Sequence, residues 1–455
     1  MPRHMPNTFN KLTVAIALAS TTLIASQAAA SGFQVREQSA KTLANALSNA
    51  AAGAEDASFM AYNPAAIGNI DGNQVVGGVA YIDANFDLQD AEAYPTGTSP
   101  LLSYDRGGSR QGGETAVVPS FAAKTQLNEQ FDLGLAIYAP YGLSTKYDED
   151  WVGRYHAIET ELKTIDFQPT LNYRATDRLN LAVGLRAQYV DATLSNAVDF
   201  GSAAALKGDP RAIPGRDDVI GTVEGDDWGY GYTLGALFQV TDKTRLGASY
   251  RSKIDLTLEG DVGFSGTTAY SSAAVANESD PRITDKGGKA DLTTPASLNL
   301  GVYHQLTDRL ALMANAEWTE WSSFDELVVE FEDGTNSPTT ENWEDTWAFS
   351  VGANYALTPQ WLLRAGLGLD ESPVPSAEFR TPRVPDADRQ WATLGATWMP
   401  TPELGVTAGY MHVFADDGDI DQQATATNEN ASKGNLSGTY EVSADVFALS
   451  VDYRF

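Results

Sequence analysis

The last nine residues, Phe447-Ala448-Leu449-Ser450-Val451-Asp452-Tyr453-Arg454-Phe455, alternate strictly between large apolar and small or charged side chains. Successive side chains of a β-strand point to opposite faces, so this stretch predicts a strand with one apolar face and one polar face. The same alternation recurs over residues 179–190 and 361–370, where charged residues and glycines occupy the second face. The chain is therefore predicted to be all-β, with strands that separate an apolar environment from a polar one.

The connections between these strands alternate in length. Short turns rich in Thr, Asp, Asn and Pro occur at residues 127–130, 175–178, 240–243, 306–309, 357–360 and 400–403. Long polar stretches occur between them, at roughly 89–114, 143–160, 197–226, 261–290, 333–343, 373–387 and 416–438. Short turns at one end and long loops at the other are typical of outer-membrane barrels, so the pattern predicts a transmembrane β-barrel of about fourteen antiparallel strands.

The first thirty residues have the features of an export signal. Arg3 and Lys11 supply a positive start, residues 12–25 are mostly apolar, and Ala28-Ala29-Ala30 offers the small side chains that a signal peptidase recognises. The apolar run is shorter than the ~20 residues that a spanning helix needs. Residues 1–30 are therefore predicted to be a signal peptide, and the mature chain to lie in the cell outer membrane.

The composition of the chain excludes or disfavours several classes of binding partner. The chain contains no cysteine, so disulfides and thiolate metal sites are excluded. Its formal net charge of −30 disfavours nucleic acid and anionic lipid as partners. Aromatic residues are plentiful, and no other run is apolar enough to span as a helix. A soluble periplasmic β-protein shares these traits, but a dozen alternating strands with no apolar second layer favour a barrel.

Residues 31–72 precede the first predicted strand, at about 73–88, and have no place in the barrel wall. The part from Ser39 to Ala52 is rich in Ala and predicts short helical pieces. A disordered tail is the alternative, but the Ala, Leu and Phe content argues against it. The predicted organisation is a signal peptide over 1–30, an N-terminal hatch or plug in the lumen over 31–72, and the barrel over 73–455.

Several motifs occur in the order and spacing of one known family. They are Ser31-Gly32-Phe33-Gln34, Asn63-Pro64-Ala65, Gly153-Arg154-Tyr155-His156-Ala157, Glu317-Trp318-Thr319-Glu320-Trp321-Ser322, Asp370-Glu371-Ser372-Pro373-Val374-Pro375 and Pro385-Asp386-Ala387-Asp388-Arg389. Through this ordered set the mature chain resembles the outer-membrane transporters of long-chain fatty acids and aromatic hydrocarbons (FadL/TodX type). The fourteen strands of that family agree with the turn count.

The resemblance implies a monomeric, passive channel for hydrophobic molecules such as fatty acids, alkanes or aromatics, gathered from outer-membrane lipid and lipopolysaccharide. It also implies that a shift of the plug frees a sideways exit at an inward kink of the third strand. That strand is predicted at about 130–142 and ends Ala139-Pro140-Tyr141-Gly142. Pro140 cannot donate a ladder hydrogen bond and Gly142 relaxes the backbone, so Pro140, Tyr141 and Gly142 are predicted to form a lateral opening. The alternative is that they only end the strand.

Two elements of the plug are site candidates by resemblance. Phe33 matches a residue that lines the inner pocket of the family, so it is predicted to contact ligand; its other role would be to anchor the N-terminus by packing. Asn63-Pro64-Ala65 is predicted to hold the plug against the kinked strand, with Asn63 bonded to exposed backbone. The alternative is a simple turn.

The resemblance also bears on the substrate. Fatty-acid members use basic side chains to meet the carboxylate, and those positions fall near Asn196 and Glu344 here, which are not basic. This departure leaves neutral alkanes or aromatics open. Arg364 and Arg389 are predicted to face the lumen and could bind a carboxylate instead. Alternatively, each pairs with Asp370 or Asp386 as interior scaffolding.

Nothing in the sequence favours catalysis. His156, His304 and His412 are far apart, and Ser297 and His304 lie at an odd spacing on one predicted strand, so they face opposite sides. The acidic stretch over residues 416–421 lacks EF-hand spacing and predicts a solvated loop. We therefore expect no enzyme, no cofactor and no metal. A general diffusion porin and, less favoured, a barrel enzyme or adhesin remain as alternatives.

Overall fold

The computed structural model describes residues 32–97, 103–278 and 280–455. The predicted signal peptide, residues 1–30, lies outside the described residues. The fold is one closed antiparallel sheet. Its strand segments are β1 Gln74–Tyr94, β2 Thr115–Gln126, β3 Phe131–Tyr138, β4 Gly142–Lys146, β5 Glu159–Thr176, β6 Leu179–Val198, β7 Val219–Thr241, β8 Thr244–Arg251, β9 Ile254–Gly266, β10 Lys286–Thr294, β11 Ser297–Gln305, β12 Leu310–Thr319, β13 Glu326–Phe331, β14 Asn336–Thr340, β15 Thr346–Thr358, β16 Trp361–Asp370, β17 Arg389–Thr401, β18 Leu404–Ala415, β19 Gly418–Gln422 and β20 Asn435–Arg454.

These segments form fourteen wall strands, as the turns predict. Six wall strands consist of two segments each: the third (β3, β4), seventh (β8, β9), eighth (β10, β11), ninth (β12, β13), tenth (β14, β15) and thirteenth (β18, β19). The barrel closes where β1 pairs with β20, from Gln74 opposite Arg454 to Tyr94 opposite Asn435. Closure leaves no free sheet edge for the wall as a whole, which is what a sheet inside a membrane requires.

The two faces of the wall are inverted relative to a soluble protein. On β20, Phe447 is 52% exposed and Val451 43% exposed, whereas Asp452 is 5% exposed. Apolar side chains therefore point outward and polar ones into the lumen, as the alternation predicts. This is the arrangement of a barrel whose outer surface meets lipid.

Several strands are longer than the sequence predicts. The first runs to Tyr94, and β6 and β7 extend into the polar stretch 197–226 that was predicted as loop. Their ladders continue above the apolar band, because backbone pairing holds the chain extended even where both faces are polar. The third strand was predicted at 130–142, but it continues after an interruption as β4.

Helices are short. They are α1 Ala40–Leu43, α2 Phe200–Leu206 and α3 Ala269–Ala276, with 3₁₀ turns at Ala57–Ala61, Pro64–Asn69, Pro281–Ile283 and Trp321–Ser323. Among the described residues, no helix has the length and apolar character to cross a membrane. The helical prediction for residues 39–52 was too long. After α1 the backbone of Ala46 and Leu47 turns to positive φ, 54° and 66°, which a helix of L-residues does not continue through.

Residues 32–73, here called the N-terminal segment, lie against the inner face of the wall. Wall glycines make room for them. A Cβ on Gly247 would lie 1.9 Å from the carbonyl oxygen of Ala51, and one on Gly366 would lie 2.6 Å from that of Asn45. Most of the segment is buried, from Phe33 to Ile70. The lumen at this level is therefore filled by backbone packed directly against backbone.

Candidate functional site

An aromatic cluster surrounds Phe33 inside the barrel. The Phe33 ring is 2% exposed, and its centroid lies 4.8 Å from that of Trp321, 5.4 Å from Phe324, 5.7 Å from Trp343 and 5.9 Å from Tyr141. Most of these contacts are edge-to-face, the geometry that aromatic pairs prefer. The Phe33 ring thus joins the N-terminal segment to the third, ninth and tenth wall strands through apolar contacts.

A cavity of about 80 Å³ adjoins this cluster. We call it the Phe33 pocket. Its apolar lining comes from inward-facing side chains of several wall strands, among them Leu143, Leu162, Leu258, Leu292, Leu327 and Val329. Drug-sized ligands occupy pockets of ~300–1,000 Å³. The pocket in this conformation is therefore nearly closed, and a long ligand must displace side chains to enter it.

One end of the Phe33 pocket is charged. Arg383 lines it and donates from Nη1 to Thr160 Oγ1 at 3.1 Å and to the Glu159 carbonyl at 3.3 Å. Its Nη2 lies 3.5 Å from Asn196 Oδ1. No carboxylate lies within ion-pair distance of Arg383 among the described residues. The guanidinium therefore brings a positive charge, bonded only to neutral oxygens, to an apolar cavity.

The neighbouring carboxyl group does not neutralise it. Glu341 also lines the pocket and accepts a hydrogen bond from Trp343 Nε1 at 3.1 Å. Burial raises the pKa of Glu341 to about 8, although Trp343 and Arg383 both act to lower it. Burial likewise lowers the pKa of Arg383 to about 10. At neutral pH the site is a protonated carboxyl beside a charged guanidinium, which suits an anionic group.

The third wall strand is interrupted beside the same pocket. β3 leaves the ladder with β5 after Tyr138, and β4 rejoins it at Gly142 in a shifted register. The Thr164 hydroxyl replaces the missing ladder bonds, since it accepts from Tyr141 N at 3.0 Å and donates to Tyr141 O at 2.6 Å. We call residues 139–141 the third-strand break.

The break also leaves part of β2, the neighbour on the other side of the third strand, without a partner on that side. β2 pairs with β3 only from Phe121 opposite Ile137 downward, so residues 115–120 have no register partner on β4. The N-terminal segment bonds instead to the backbone at the third-strand break. Val35 N donates to Pro140 O at 2.9 Å, and Gly142 N donates to Phe33 O at 2.9 Å. Pro140, Tyr141 and Gly142 thus lie against the N-terminal segment, on the side where an unbroken third strand would pair with β2.

Ion pairs hold the rest of the N-terminal segment. Lys41 Nζ lies 2.8 Å from carboxylate oxygens of both Asp56 and Asp452, and Arg36 Nη1 lies 2.9 Å from Asp370. Arg364 donates from Nη1 to Glu55 at 3.0 Å. All of these side chains are 0–7% exposed except that of Glu55, which is 22% exposed, so the buried charges depend on their partners for solvation.

The two arginines predicted as carboxylate binders are both engaged in such pairs. Arg364 faces the lumen as predicted, but its partner is Glu55 of the N-terminal segment rather than Asp370 or Asp386, because Asp370 is taken by Arg36. Arg389 contacts Asp386. Each of these two guanidinium groups therefore has a carboxylate partner, whereas that of Arg383 bonds to neutral oxygens.

Asn63 holds the N-terminal segment, but not at the third strand. Its Nδ2 donates to Ala51 O at 2.6 Å and to Ala236 O on β7 at 3.2 Å, and its Oδ1 accepts from Ala65 N at the start of the 3₁₀ turn Pro64–Asn69. The hydrogen bonds of Asn63 therefore go to β7 and to the segment itself rather than to the kinked third strand. Gly235 of β7 leaves the room for Asn63 and Pro64, whereas residues 33–35 occupy the third-strand break.

Sequence reasoning missed Arg383 and Glu341 as pocket residues. Arg383 lies in the connection between β16 and β17, and Glu341 lies where the tenth wall strand is interrupted between β14 and β15; charged residues are ordinary at both kinds of place. The position expected to be basic by resemblance, Asn196, does lie at this end of the pocket, and the charge is supplied by Arg383 from another loop. Asn196 and Arg383 are 187 positions apart in the chain, so no sequence motif contains both of them.

Comparison with known proteins places the whole chain in one group. The family described as "Outer membrane protein transport protein (OMPP1/FadL/TodX)" matches residues 21–455. A "47 kDa outer membrane protein" of Pasteurella multocida (strain Pm70) is 29% identical over 456 residues, 98% of this chain and 99% of that protein. A "Long-chain fatty acid transport protein" of Escherichia coli O6:H1 is 28% identical over 419 residues, 89% of this chain and 91% of that protein.

Solved structures agree in fold. A crystal structure of a Pseudomonas aeruginosa FadL homologue has a TM-score of 0.81 with 29% identity, covering 93% of this chain and 100% of the other. The Pseudomonas putida toluene transporter TodX has a TM-score of 0.66 with 18% identity, covering 93% and 100%. The second likeness is one of fold alone.

Proposed function

Because this chain belongs to the OMPP1/FadL/TodX family of outer-membrane transport proteins, we propose that it takes up hydrophobic small molecules through the Phe33 pocket without chemical change. One observation carries the proposal. An apolar cavity in the lumen is walled on one side by the N-terminal segment and lies beside the third-strand break. Ligand would come from outer-membrane lipid and lipopolysaccharide. A general diffusion porin would need an aqueous lumen, and here that space is packed.

The proposed substrate is an amphipathic acid, such as a long-chain fatty acid, in preference to a neutral alkane or aromatic. Arg383 supports this choice, since it is charged, lines the apolar pocket and bonds only to neutral oxygens. Hydrogen bonds to an ionised partner are about twice as strong as neutral ones. An alkane would leave that charge buried and unpaired when it displaced the water around it.

The proposed gate is the N-terminal segment acting as a plug over residues 31–72. Ligand that displaces Phe33 would loosen the bonds from residues 33–35 to the third-strand break, and the break would then open sideways to the membrane. A sideways path avoids water, and each CH₂ kept out of water is worth ~0.8 kcal/mol. The ion pairs of Lys41 and Arg364 would keep the rest of the plug in place.

A reversible lock tests the gate. Gln34 and Tyr141 are bridge partners across the break, and the chain has no other cysteine to interfere with Gln34→Cys/Tyr141→Cys. In a host lacking its own transporter, we expect the oxidised variant to lose uptake of radiolabelled palmitate and dithiothreitol to restore it. The matched control, Ala122→Cys/Ala136→Cys, lies in the intact ladder of β2 with β3 and should transport in both states.

The outcomes separate the parts of the proposal. Equal uptake by the oxidised and reduced lock would refute the gate but leave transport standing. Comparable uptake of palmitate, hexadecane and toluene would refute the preference for acids. Uptake of small sugars at the rate of an open channel would favour the porin and refute the function itself.

A further inference from the structure

The wall is also interrupted between the sixth wall strand, β7, and the seventh, β8 with β9. β7 pairs with β8 up to Thr233 opposite Arg251, and with β9 from Asp226 opposite Glu259. Residues 227–232 therefore have no register partner among 252–258 on the facing strand. We call these two stretches the β7 seam. Its ends are pinned by Ser252 N, which donates to Tyr232 O at 2.9 Å, and by Thr257 N, which donates to Asp227 Oδ2 at 2.9 Å.

The seam arises because the seventh and eighth strands bend inward together. Their mutual ladder keeps one register across the bend, from Arg251 opposite Ser297 to Ile254 opposite Thr294. β6 and β7 likewise pair without irregularity. The eighth strand also loses its ladder with the ninth, between Ser297 opposite Thr319 and Ala290 opposite Val329, so this hairpin leaves its neighbours on both sides while its own two strands stay paired.

Polar contacts in the lumen hold the bent hairpin. Arg186 of β6 donates from Nη1 to Ser252 O at 3.0 Å. Tyr141 of the third-strand break donates from its hydroxyl to Pro295 O at 2.9 Å, at the bend of the eighth strand. One tyrosine, Tyr141, therefore joins the third-strand break to the hairpin that borders the β7 seam.

A side chain rather than backbone seals the seam. Gly229 and Gly231 of β7 have no side chain there, and Ile254 packs against both. A Cβ on Gly229 would lie 2.2 Å from Ile254 Cγ2, and one on Gly231 2.8 Å from Ile254 Cγ1. Leu256 packs on Gly229 as well, so a change of rotamer at Ile254 and Leu256 would uncover most of the seam without breaking a ladder between paired residues.

The seam has an apolar inner side and an aromatic outer side. Inside, Ile254 and Leu256 belong to the same buried group as Phe33, and Gly225 and Leu258 line the Phe33 pocket itself. Outside, Trp228 and Tyr230 point away from the lumen, and Tyr230 is 76% exposed. Aromatic side chains at this level of a barrel lie where the hydrocarbon meets the headgroups.

We propose that the β7 seam is a second lateral opening, through which a molecule with a single alkyl chain or aromatic ring passes between the outer leaflet and the Phe33 pocket. The proposal rests on the proposed function for the identity of the ligand. The ligand replaces the contacts of Ile254 with apolar contacts of similar area, so opening costs little. Tyr141 couples the two openings, because it touches Phe33 and the bent hairpin at once.

Photo-labelling tests the seam without relying on transport. Outer-membrane vesicles containing the protein are irradiated with a palmitate analogue that carries a diazirine in mid-chain. We expect adducts on Ile254 and Leu256, which face the lumen, in excess of those on the lipid-facing control Leu449. Labelling confined to the lipid face and the third-strand break would overturn the proposal.

A reversible chemical cross-link across the β7 seam, here called the staple, provides the second measurement. Tyr230→Cys/Asp255→Cys places thiols on the outward side of the seam, and a bis-methanethiosulfonate reagent joins them reversibly. Joining them should abolish the adducts on Ile254 and reduce palmitate uptake roughly twofold, as for one of two parallel gates. The control Asp191→Cys/Asp226→Cys joins residues already paired between β6 and β7 and should change neither.

The outcomes remain distinguishable from those of the proposed function. Unchanged labelling and uptake after stapling, in a chain that still takes up palmitate, would overturn the seam alone. Adducts on Ile254 in a chain that fails to transport would support the seam and count against the uptake function.

Discussion

The two halves of the lumen are filled in different ways. Toward the short turns, the N-terminal segment meets the wall through buried ion pairs, such as Lys41 with Asp452 and Arg364 with Glu55. Toward the long loops, it meets the wall through the aromatic rings around Phe33. Buried charges cannot change partners without a large desolvation cost, whereas apolar contacts exchange freely with those of a ligand. The ion pairs near the short turns can therefore hold the N-terminal segment in place while the aromatic contacts near the long loops are exchanged for contacts with ligand.

The largest effect should come from breaking the anchored half. Arg364→Met removes the paired cation of Glu55, whose side chain is 22% exposed, so the cost should fall below the ~3–5 kcal/mol typical of a fully buried pair. We expect the N-terminal segment to detach and channel conductance in planar bilayers to rise. Arg309→Met, in an exposed turn, is the control and should leave conductance low. Unchanged conductance in Arg364→Met would mean that the ion pairs are not what anchors the segment.

The yielding half should instead respond in affinity. Phe33→Ala removes a ring whose burial is worth ~1.5–3 kcal/mol, so palmitate binding measured by calorimetry should weaken by roughly 10- to 100-fold. Phe59→Ala, a buried ring in the other half, should lower the unfolding temperature and leave the affinity of the folded protein unchanged. Equal effects of the two substitutions on affinity would erase the distinction between the halves.

A smaller effect is expected where backbone meets backbone. A Cβ on Gly366 would lie 2.6 Å from Asn45 O and 2.7 Å from Ala46 Cβ, so Gly366→Ala should destabilise the packed segment by ~1–3 kcal/mol. Protease digestion of the N-terminal segment would report it. Gly77→Ala has open space around its new Cβ and should be neutral or slightly stabilising. Equal protease resistance of both variants would show that the packing is looser than the contacts imply.

The smallest effect is one of pH on the charged end of the pocket. As pH rises through about 8, Glu341 gains a negative charge and Lys433, whose pKa burial lowers to about 8, loses its positive one. Arg383 stays charged, so palmitate binding should weaken by up to roughly tenfold between pH 7 and 9. Hexadecane binding should not change, and Glu341→Gln should lessen the loss for palmitate. Equal pH dependence for both ligands would exclude a role for these groups.

The wall was predictable in its number of strands and in its faces. Alternation along β16 and β20 and the chemistry of six turns are local properties, so reading the chain in order was enough to reach fourteen strands. Strand ends were predicted less well, since β1 and β7 run on through polar residues. Their extension depends on neighbouring strands that no local pattern describes.

The candidate site was predictable only in part. Phe33 and the third-strand break came from resemblance and local backbone chemistry, and the structure brings them together. Arg383 could not be found, because what distinguishes it is that no carboxylate of the described residues pairs with it, and sequence does not show which charges are paired. Arg364 and Arg389 looked equivalent in sequence, but each has a carboxylate beside it.

The sequence by itself determined an outer-membrane barrel with an apolar outside, since the period of side chains along a strand fixes which of them share a face. Only the tertiary structure decided which charges are paired, where the wall is interrupted, and that Tyr141 links two such interruptions. Several of those features, such as the pairs Lys41 with Asp452 and Tyr141 with Pro295, depend on contacts between residues more than a hundred positions apart, and such contacts exist only once the sheet has closed.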